Sequence, residues 1–324
     1  MDKPYFFVFE ITKKCNNDCF YCYNVWKERA DYPTKELELA EIEKLFGKIF
    51  AKIKPQNITL TGGEPMLRTD IYEIATLAKN CGAKVGIATN GTLLDEEKTD
   101  RLVACGITYF DISLVSLDKD RYATLSNNDK LSDLKRAILA VKKRRIPLTL
   151  SFTITKINIA DIGDFIDLGF SFSADNLALN RFVPGGRGLK NIEMLAPSAS
   201  EFESVLGIAN DRAEKYRVPV NITVPVEACR INHKKYPRLN FGACVCGRQK
   251  WAIDPAGNLR TCEQNPDILG NLLEKSFAEL IETNPAKKFQ ESNFHGNCIE
   301  CGDFGRCGGG CRFLRDKAKT PRFS

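Results

Sequence analysis

Three cysteines near the start of the chain, Cys15, Cys19 and Cys22, have a spacing that suits iron chemistry. They follow an apolar run over residues 5–12 that predicts a buried β-strand. Three thiolates can hold three corners of a cubane iron–sulfur cluster and leave the fourth iron open to another ligand. A structural metal site instead takes four protein ligands and has no vacant position. The count of three therefore indicates a site where a small molecule coordinates iron and reacts.

The chain contains 13 cysteines, and all but two fall into two groups. The first group is the triad, and the second spans residues 229–311. A disulfide framework is typical of small secreted chains, which does not fit 324 residues without a recognisable secretory signal. The other two, Cys81 and Cys105, each precede a glycine at the end of a predicted helix, where we expect buried small hydrophobic residues. The grouping predicts metal sites.

Two further unusual stretches follow predicted strands. Gly62-Gly63-Glu64-Pro65 ends a short apolar strand over residues 57–60, and Thr89-Asn90-Gly91 ends a strand over residues 84–88. Segments with helical periodicity separate these strands from one another and from the strands that follow. Alternating strands and helices with short connections predict parallel βα units.

Six such strands are predicted before Pro184, so the expected fold is α/β: a partial (β/α)6 TIM-like barrel with a small cysteine-rich C-terminal domain. These folds place active sites at the carboxyl ends of the strands, where the triad and both stretches lie. We expect the barrel over residues 1–195, a bridging helix and strand over 196–240, and the cysteine-rich domain over 241–324. That last region has few apolar residues for a core, which predicts stabilisation by metal ligation.

Composition excludes several function classes. The chain is 43% hydrophobic and 27% charged, and its formal net charge of +6 is too mild to indicate nucleic acid or an anionic membrane as a partner. No apolar run approaches the roughly 18–20 residues of a membrane helix. We therefore expect a cytoplasmic protein with no nucleic-acid and no membrane partner.

The cysteine triad with a tyrosine before its third member, the Gly-Gly-Glu and the Thr-Asn-Gly resemble, in this order, the motifs of the radical S-adenosylmethionine (SAM) superfamily over residues 5–182. The resemblance implies a [4Fe–4S] cluster whose open iron is chelated by SAM. It implies SAM contacts from these residues: Tyr21, Gly62, Gly63, Glu64, Thr89 and Asn90. The alternative is a zinc knuckle beside ordinary glycine turns.

Two more SAM contacts are implied less directly. Ser113 resembles a fourth-strand serine of the family, although the pattern Ser-Leu-Asp is broken here by Val115. Arg181 precedes a glycine-rich loop that contains Arg187, and guanidinium groups bind carboxylates of SAM or substrate well. A plain strand serine and a flexible exit loop are the alternatives.

The C-terminal cysteines resemble the SPASM extension of radical SAM enzymes, which carries one or two auxiliary [4Fe–4S] clusters. The family pattern implies Cys246, Cys262 and Cys311 in the first cluster, completed by Cys244 or Cys229. It implies Cys298, Cys301 and Cys307 in the second. The pattern ends with one more cysteine, which is missing after Cys311, so the second cluster has an open iron, a borrowed ligand, or is absent. A zinc ribbon is the alternative for the region. His295 is a further alternative ligand, and His233 is expected at the surface.

The resemblance implies reductive cleavage of SAM to a 5′-deoxyadenosyl radical, which abstracts hydrogen from a substrate C–H. We expect modification of a peptide or protein, by crosslinking or oxidation, with electrons from a flavodoxin- or ferredoxin-like donor. One alternative is oxidation or decarboxylation of a small molecule or cofactor precursor. Another is a non-enzymatic iron–sulfur electron carrier. No general base is assigned, since Asp118, Asp120 and Asp254 are equally well explained as turn or surface carboxylates.

Overall fold

The computed structural model describes residues 5–33, 35–291, 298 and 300–315. Its strands follow one another along the chain as β1 (Tyr5–Thr12), β2 (Pro55–Gly62), β3 (Lys84–Thr89), β4 (Ile107–Ser113), β5 (Leu148–Ile154), β6 (Asn176–Arg181), β7 (Val220–Ile222), β8 (Leu239–Phe241), β9 (Lys250–Ile253), β10 (Asn258–Arg260) and β11 (Ile268–Asn271). The first six are the six predicted strands, and none of their ends differs from the prediction by more than two residues.

Helices occupy the intervals: α1 (Leu39–Phe50), α2 (Ile71–Asn80), α3 (Glu96–Ala104), α4 (Lys119–Ser126), α5 (Leu131–Lys143), α6 (Ile162–Ser171), α7 (Ile192–Leu195), α8 (Ala199–Tyr216), α9 (Phe277–Ile281), α10 (Asn284–Glu291) and α11 (Phe304–Cys307). The helix α8 begins with a capping box in which Ser198 and Glu201 bond each other's backbone N–H. None of the helices in the described part of the chain is long and apolar enough to cross a membrane.

All the strands form one sheet, in the order β11-β10-β9-β1-β2-β3-β4-β5-β6-β7-β8. Neighbours from β1 to β8 are parallel, as βα units require. The predicted barrel-like α/β fold is confirmed, and β7 and β8 extend it beyond six strands. The carboxyl ends of β1, β2, β3 and β4 therefore share one rim, which brings the predicted motifs together.

The cysteine-rich region continues this sheet. β9 pairs in parallel with β1, placing Trp251 opposite Phe7, and β9 and β10 form an antiparallel hairpin. Trp251 and Leu259 are buried in the same core as the barrel strands, and the Trp251 ring meets Phe277 edge-on at 5.5 Å. Residues 250–286 thus have the apolar packing that the sequence did not lead us to expect. The predicted domain boundaries stay predictions.

A buried ion pair also joins the two regions. Arg260 on β10 and Glu10 on β1 are 0% and 1% exposed, and the Arg260 guanidinium donates to the Glu10 carboxylate. Arg260 Nη1 also donates to the carbonyl oxygens of Glu263 and Asn265, at 3.0 and 3.1 Å. This arginine fixes the chain just beyond Cys262 against the first barrel strand.

Candidate active site

The three thiols of Cys15, Cys19 and Cys22 lie in the loop after β1 and face one cavity of about 450 Å³. That volume is within the range of sites that hold one small molecule. Seven of the eight predicted SAM contacts line the same cavity: Tyr21, Gly62, Gly63, Thr89, Asn90, Ser113 and Arg181. The structure therefore brings the separate motifs to one place.

The thiols are held in an environment that disfavours their ionisation. Burial raises the pKa of Cys19 to about 12 and of Cys22 to about 11. Charge on the neighbouring cysteines of the triad also raises both pKa values. Metal ligation requires thiolates, so iron must displace these protons. A donor set of three sulfurs around one cavity fits a [4Fe–4S] cluster with one iron left for SAM.

The glycine pair after β2 is required by close packing against the chain before Cys15. A Cβ atom on Gly62, whose φ is +138°, would lie 2.3 Å from Thr12 O, and one on Gly63 would lie 2.1 Å from Lys14 O. Gly63 N and Glu64 N donate to those same two carbonyl oxygens, at 2.7 and 2.8 Å. The bend thus fixes where the cysteine loop begins.

Glu64 does not line the cavity but lies behind it. Its carboxylate is fully buried and accepts hydrogen bonds from Thr89 Oγ1 at 2.7 Å, Asn90 N at 2.8 Å and Met66 N at 3.0 Å. Burial raises the pKa of Glu64, and these donors oppose the rise. The prediction of Glu64 as a SAM contact stays a prediction; its hydrogen bonds tie β2 to the Thr-Asn motif of β3.

The Thr-Asn motif in turn holds the cysteine loop. Asn90 Nδ2 donates to Asn16 Oδ1 at 2.9 Å, and Asn16 Nδ2 donates to Thr92 Oγ1 at 2.7 Å. Asn16 is the residue after Cys15. The second and third motifs therefore act on the first through backbone and amide hydrogen bonds.

A helix that sequence reasoning missed supports the other side of the loop. The carbonyl oxygens of Ser126 and Leu125, at the end of α4, accept from Asp18 N and Phe20 N at 3.2 and 3.1 Å. Asn128 Nδ2 donates to Asn17 Oδ1 at 2.7 Å. The signal for α4 was its N-cap, since Asp118 accepts from the N–H groups of residues 120 and 121.

The glycine-rich loop after β6 packs against the cysteine loop and holds it in place. Gly186 has φ +48°, and a Cβ there would lie 2.4 Å from Asn24 O. Arg187 Nη1 donates to Asp18 O at 2.9 Å, and the guanidinium pairs with the Asp18 and Glu28 carboxylates. The hydrogen bond and ion pairs of Arg187 are thus formed with other residues of the protein. Arg181 lines the cavity and pairs with Glu227 at 3.3 Å.

Polar groups from both regions form the rest of the cavity wall. Asp111 on β4 accepts from Ser151 Oγ at 2.5 Å, and removal from bulk water raises its pKa to about 6. Lys250 Nζ, from β9, contacts Glu263 Oε1 at 2.5 Å. Asp111, Lys250 and Glu263 were not singled out from the sequence, because single polar residues carry no spacing signal.

The three carboxylates considered as bases have structural roles instead. Asp118 caps α4, and Asp120 lies exposed in its first turn. Asp254 is buried in the β9–β10 turn, where it accepts from Ala256 N and Asn258 N at 2.9 Å each. The interpretation of these groups as turn or surface carboxylates agrees with the structure.

One group of C-terminal cysteines surrounds the cavity-facing end of β9. The sulfurs of Cys246 and Cys262 and a Glu263 carboxylate oxygen lie within 4.8 Å of one another. A hydrogen bond from the Cys246 thiol holds the pKa of Cys244 below its usual value, and Cys311 interacts electrostatically with Cys244 and Cys262. Of the two residues left open as the fourth member, the structure places Cys244 here. Thiol donors in this number fit an iron–sulfur cluster.

The other predicted residues are placed as follows. Cys307 ends α11, and its Sγ accepts from Gly309 N at 3.2 Å, while Cys301 N donates to Cys298 O at 3.2 Å. His233 was expected at the surface; it is 5% exposed, because its ring stacks on Phe241 at 4.0 Å. Cys81 and Cys105 are half-buried at the ends of α2 and α3. His295 lies outside the described residues.

Two family models match the chain. The model of the radical SAM superfamily matches residues 9–169, which contain the triad and both later motifs. The SPASM model, described as an iron–sulfur cluster-binding domain, matches residues 244–302. Both matches coincide with regions whose cysteines the structure brings together.

Curated relatives have different substrates in their names. The AdoMet-dependent heme synthase of Methanosarcina barkeri is 24% identical over 326 residues, covering 95% of this chain and 91% of the relative. The PqqA peptide cyclase of Bradyrhizobium diazoefficiens is 27% identical over 276 residues, covering 82% of this chain and 68% of the relative.

A solved structure has the same fold. Streptococcus suis SuiB bound to S-adenosylmethionine aligns with a TM-score of 0.73 at 18% identity, over 99% of this chain and 78% of SuiB. SuiB has also been solved with its precursor peptide SuiA. Membership of the family implies a [4Fe–4S] cluster and SAM. The chain is an enzyme that belongs to the radical SAM superfamily and carries a C-terminal SPASM iron–sulfur cluster-binding domain.

Proposed function

We propose that this enzyme abstracts hydrogen from a C–H bond of a peptide or protein and thereby starts a crosslink or oxidation. The observation that carries the proposal is the single cavity in which the triad meets Asp111 of the barrel and Lys250 and Glu263 of the SPASM region. A substrate in that cavity is next to both SAM and the first auxiliary cysteine group.

When bound, the cluster at Cys15, Cys19 and Cys22 and its SAM supply a 5′-deoxyadenosyl radical. The chain's own residues bind the cluster and SAM and orient them. Gly62 and Gly63 form the bend against which the cysteine loop packs, while Tyr21, Thr89, Asn90, Ser113 and Arg181 offer the aromatic and polar groups that face SAM. An external flavodoxin- or ferredoxin-like protein is proposed as the electron donor.

The size of the cavity favours a peptide. About 450 Å³ suits one drug-sized ligand, and SAM is already of that size. A peptide that inserts a single side chain beside SAM needs little of this volume. The peptide named for the PqqA cyclase and the SuiA peptide bound by SuiB support the same substrate class.

The alternative is oxidation or decarboxylation of a small cofactor precursor. It is favoured by the heme synthase, which is similar along nearly the whole of both chains. A non-enzymatic electron carrier has no such support, because the chain belongs to an enzyme superfamily.

The substrate class can be tested by tracing deuterium. Cells that encode the chain are grown in D₂O-containing medium, and their extract is separated into peptide and small-molecule fractions. The anaerobically reconstituted enzyme, SAM and dithionite are added to each fraction. We expect deuterated 5′-deoxyadenosine from the peptide fraction. Deuterium arising only from the small-molecule fraction would contradict the proposal and support the alternative.

Asp111 is the proposed proton acceptor. Oxidation of a substrate radical by one electron, which an auxiliary iron–sulfur cluster would accept, also releases a proton. A carboxylate with a pKa of about 6 is ionised and basic near neutral pH. Asp111→Asn is expected to lower oxidised product per 5′-deoxyadenosine by about 10²-fold or more. For the wild type, this ratio should fall as the pH drops below about 6, because Asp111 becomes protonated.

The ratio is measured by mass spectrometry with the active substrate fraction between pH 5 and 8. Asp120→Asn, which changes an exposed carboxylate in α4, is the matched control and should behave as the wild type. A normal product ratio in Asp111→Asn across this range would remove Asp111 from the mechanism.

A further inference from the structure

The second C-terminal cysteine group has three members close together in sequence. They are Cys298, Cys301 and Cys307. Cys311 itself lies with the first group, where it interacts with Cys244 and Cys262. A cubane held entirely by protein needs four ligands. A further thiol that lies beside these three would complete such a set.

The turn that carries Cys229 is packed against this group. Its backbone is closed by hydrogen bonds from Arg230 N and Ile231 N to Glu227 O, at 3.0 and 3.1 Å. The Glu227 side chain fills the space over Gly310, where a Cβ would lie 2.7 Å from Glu227 Cδ. The start of the turn is thus fixed against the loop between Cys307 and Cys311.

The segment after Cys229 is fixed against the same region. His233 stacks on Phe241 with an angle of 6° between the rings, and it interacts electrostatically with Asp303, which precedes α11, and with Arg306 inside α11. Cys229 lies between these two points of attachment. Its position is therefore set by neighbours of Cys307 on both sides.

The thiol of Cys229 also has its cysteine neighbours in this group. It interacts electrostatically with Cys298 and Cys307, whereas Cys244 interacts with Cys246 and Cys311. These interactions group Cys229 with Cys298 and Cys307, and Cys244 with Cys246 and Cys311. Among the 13 cysteines, all of which the structure describes, Cys229 alone is exposed.

We infer that Cys229 is the fourth ligand of a second auxiliary [4Fe–4S] cluster, together with Cys298, Cys301 and Cys307. The inference rests on the proposed function only in that both require iron–sulfur clusters. With four thiolate ligands this cluster has no open iron, so it transfers electrons rather than binding substrate. Because one of its ligands is at the surface, it is the cluster placed to exchange electrons with an external protein.

The test compares iron and sulfide contents of the full-length, anaerobically reconstituted protein. Cys229→Ala is combined with two backgrounds: Cys246→Ala/Cys262→Ala, which removes ligands of the first auxiliary cluster, and Cys298→Ala/Cys307→Ala, which removes ligands of the second. In the first background, Cys229→Ala should lose up to about 4 irons per chain, or about 1 iron with a new three-iron EPR signal. In the second background it should cause no further loss.

Cys229→Ser is the second variant and keeps the test valid if Cys229→Ala misfolds, since an oxygen replaces the sulfur at the same position. It is expected to retain iron and to shift the EPR spectrum of one reduced cluster. Cys81→Ala is the matched control and should keep the full iron content, because Cys81 lies at the end of α2, away from both sets.

Two results would overturn the assignment: unchanged iron and EPR spectra in every Cys229 variant, or loss of iron only in the Cys298→Ala/Cys307→Ala background. Iron content does not depend on SAM cleavage. A fully loaded wild type that fails to cleave SAM would therefore contradict the proposed function and leave the ligand assignment intact.

Discussion

Gly63→Ala is expected to reduce reductive SAM cleavage by at least about 10²-fold, because misplacement by about 1 Å has effects of this size. The new Cβ would lie 2.1 Å from Lys14 O and 2.6 Å from Lys14 C, and both are backbone atoms that cannot rotate away. The segment before Cys15 must therefore move, and the triad moves with it. Overpacking of this kind also costs about 1–3 kcal/mol of stability.

The measurement is 5′-deoxyadenosine formed by the reconstituted variant with excess dithionite and SAM, beside its thermal unfolding midpoint. Gly47→Ala is the control, since a Cβ at Gly47 in α1 meets nothing within 4 Å. Alanine in a helix interior should stabilise by about 0.5–1 kcal/mol and leave SAM cleavage unchanged. Wild-type cleavage by Gly63→Ala would show that the bend does not position the triad.

Arg260→Met is expected to lower the free energy of unfolding by about 3–5 kcal/mol, because it leaves the buried Glu10 carboxyl without its partner. Two carbonyl oxygens, of Glu263 and Asn265, also lose their donor. Burial already raises the pKa of Glu10 from 4.5 to about 7 against the opposing effect of Arg260. Without the guanidinium the pKa rises further.

The pH dependence of this loss follows from linkage. A carboxyl whose pKa is higher in the folded state makes folding less favourable as the pH rises, since the unfolded chain ionises first. The destabilisation of Arg260→Met should therefore be larger at pH 8 than at pH 5. Thermal unfolding of the reconstituted protein at both values measures it.

Two further variants make the prediction specific. Glu10→Leu added to Arg260→Met should recover most of the lost stability, because no buried carboxyl remains. Arg238→Met removes an exposed partner of Glu214 and should cost less than about 1 kcal/mol. Equal effects of Arg238→Met and Arg260→Met would mean that the buried pair does not join the regions.

The parts of the site that sequence reasoning predicted are those with local signals. Cys15, Cys19 and Cys22 have a fixed spacing, and the bends at Gly62 and Asn90 terminate strands whose apolar pattern is plain. Parallel strands place their carboxyl ends on one rim. The order of the strands and motifs along the chain was therefore enough to predict that the motifs lie close together.

The roles of Glu64 and Arg187 depended on partners far along the chain. Glu64 accepts from Thr89 Oγ1, 25 residues away, and Arg187 donates to Asp18 O, 169 residues away. Both side chains are charged and follow glycines, which is compatible with binding a ligand and with binding the protein. Only tertiary structure separates these roles.

Non-local pairing also explains the other differences. β9 joins β1 across more than 200 residues, which gives the C-terminal region a core that its own composition does not supply. His233 is buried because Phe241 stacks on it, and the turn that begins at Glu227 is placed by the contact of Glu227 with Gly310. The helix α4 was missed because its eight residues are mostly polar, so that its N-cap, Asp118, is its main sequence signal.

Formation of 5′-deoxyadenosine from SAM by the anaerobically reconstituted, reduced enzyme tests the site most directly. The wild type should form 5′-deoxyadenosine and methionine in equal amounts, and Cys19→Ala should form neither, while Cys105→Ala should match the wild type. A wild type that binds its full iron content yet leaves SAM intact, or a Cys19→Ala variant that still cleaves SAM, would contradict the assignment of Cys15, Cys19 and Cys22 as the seat of the reactive cluster.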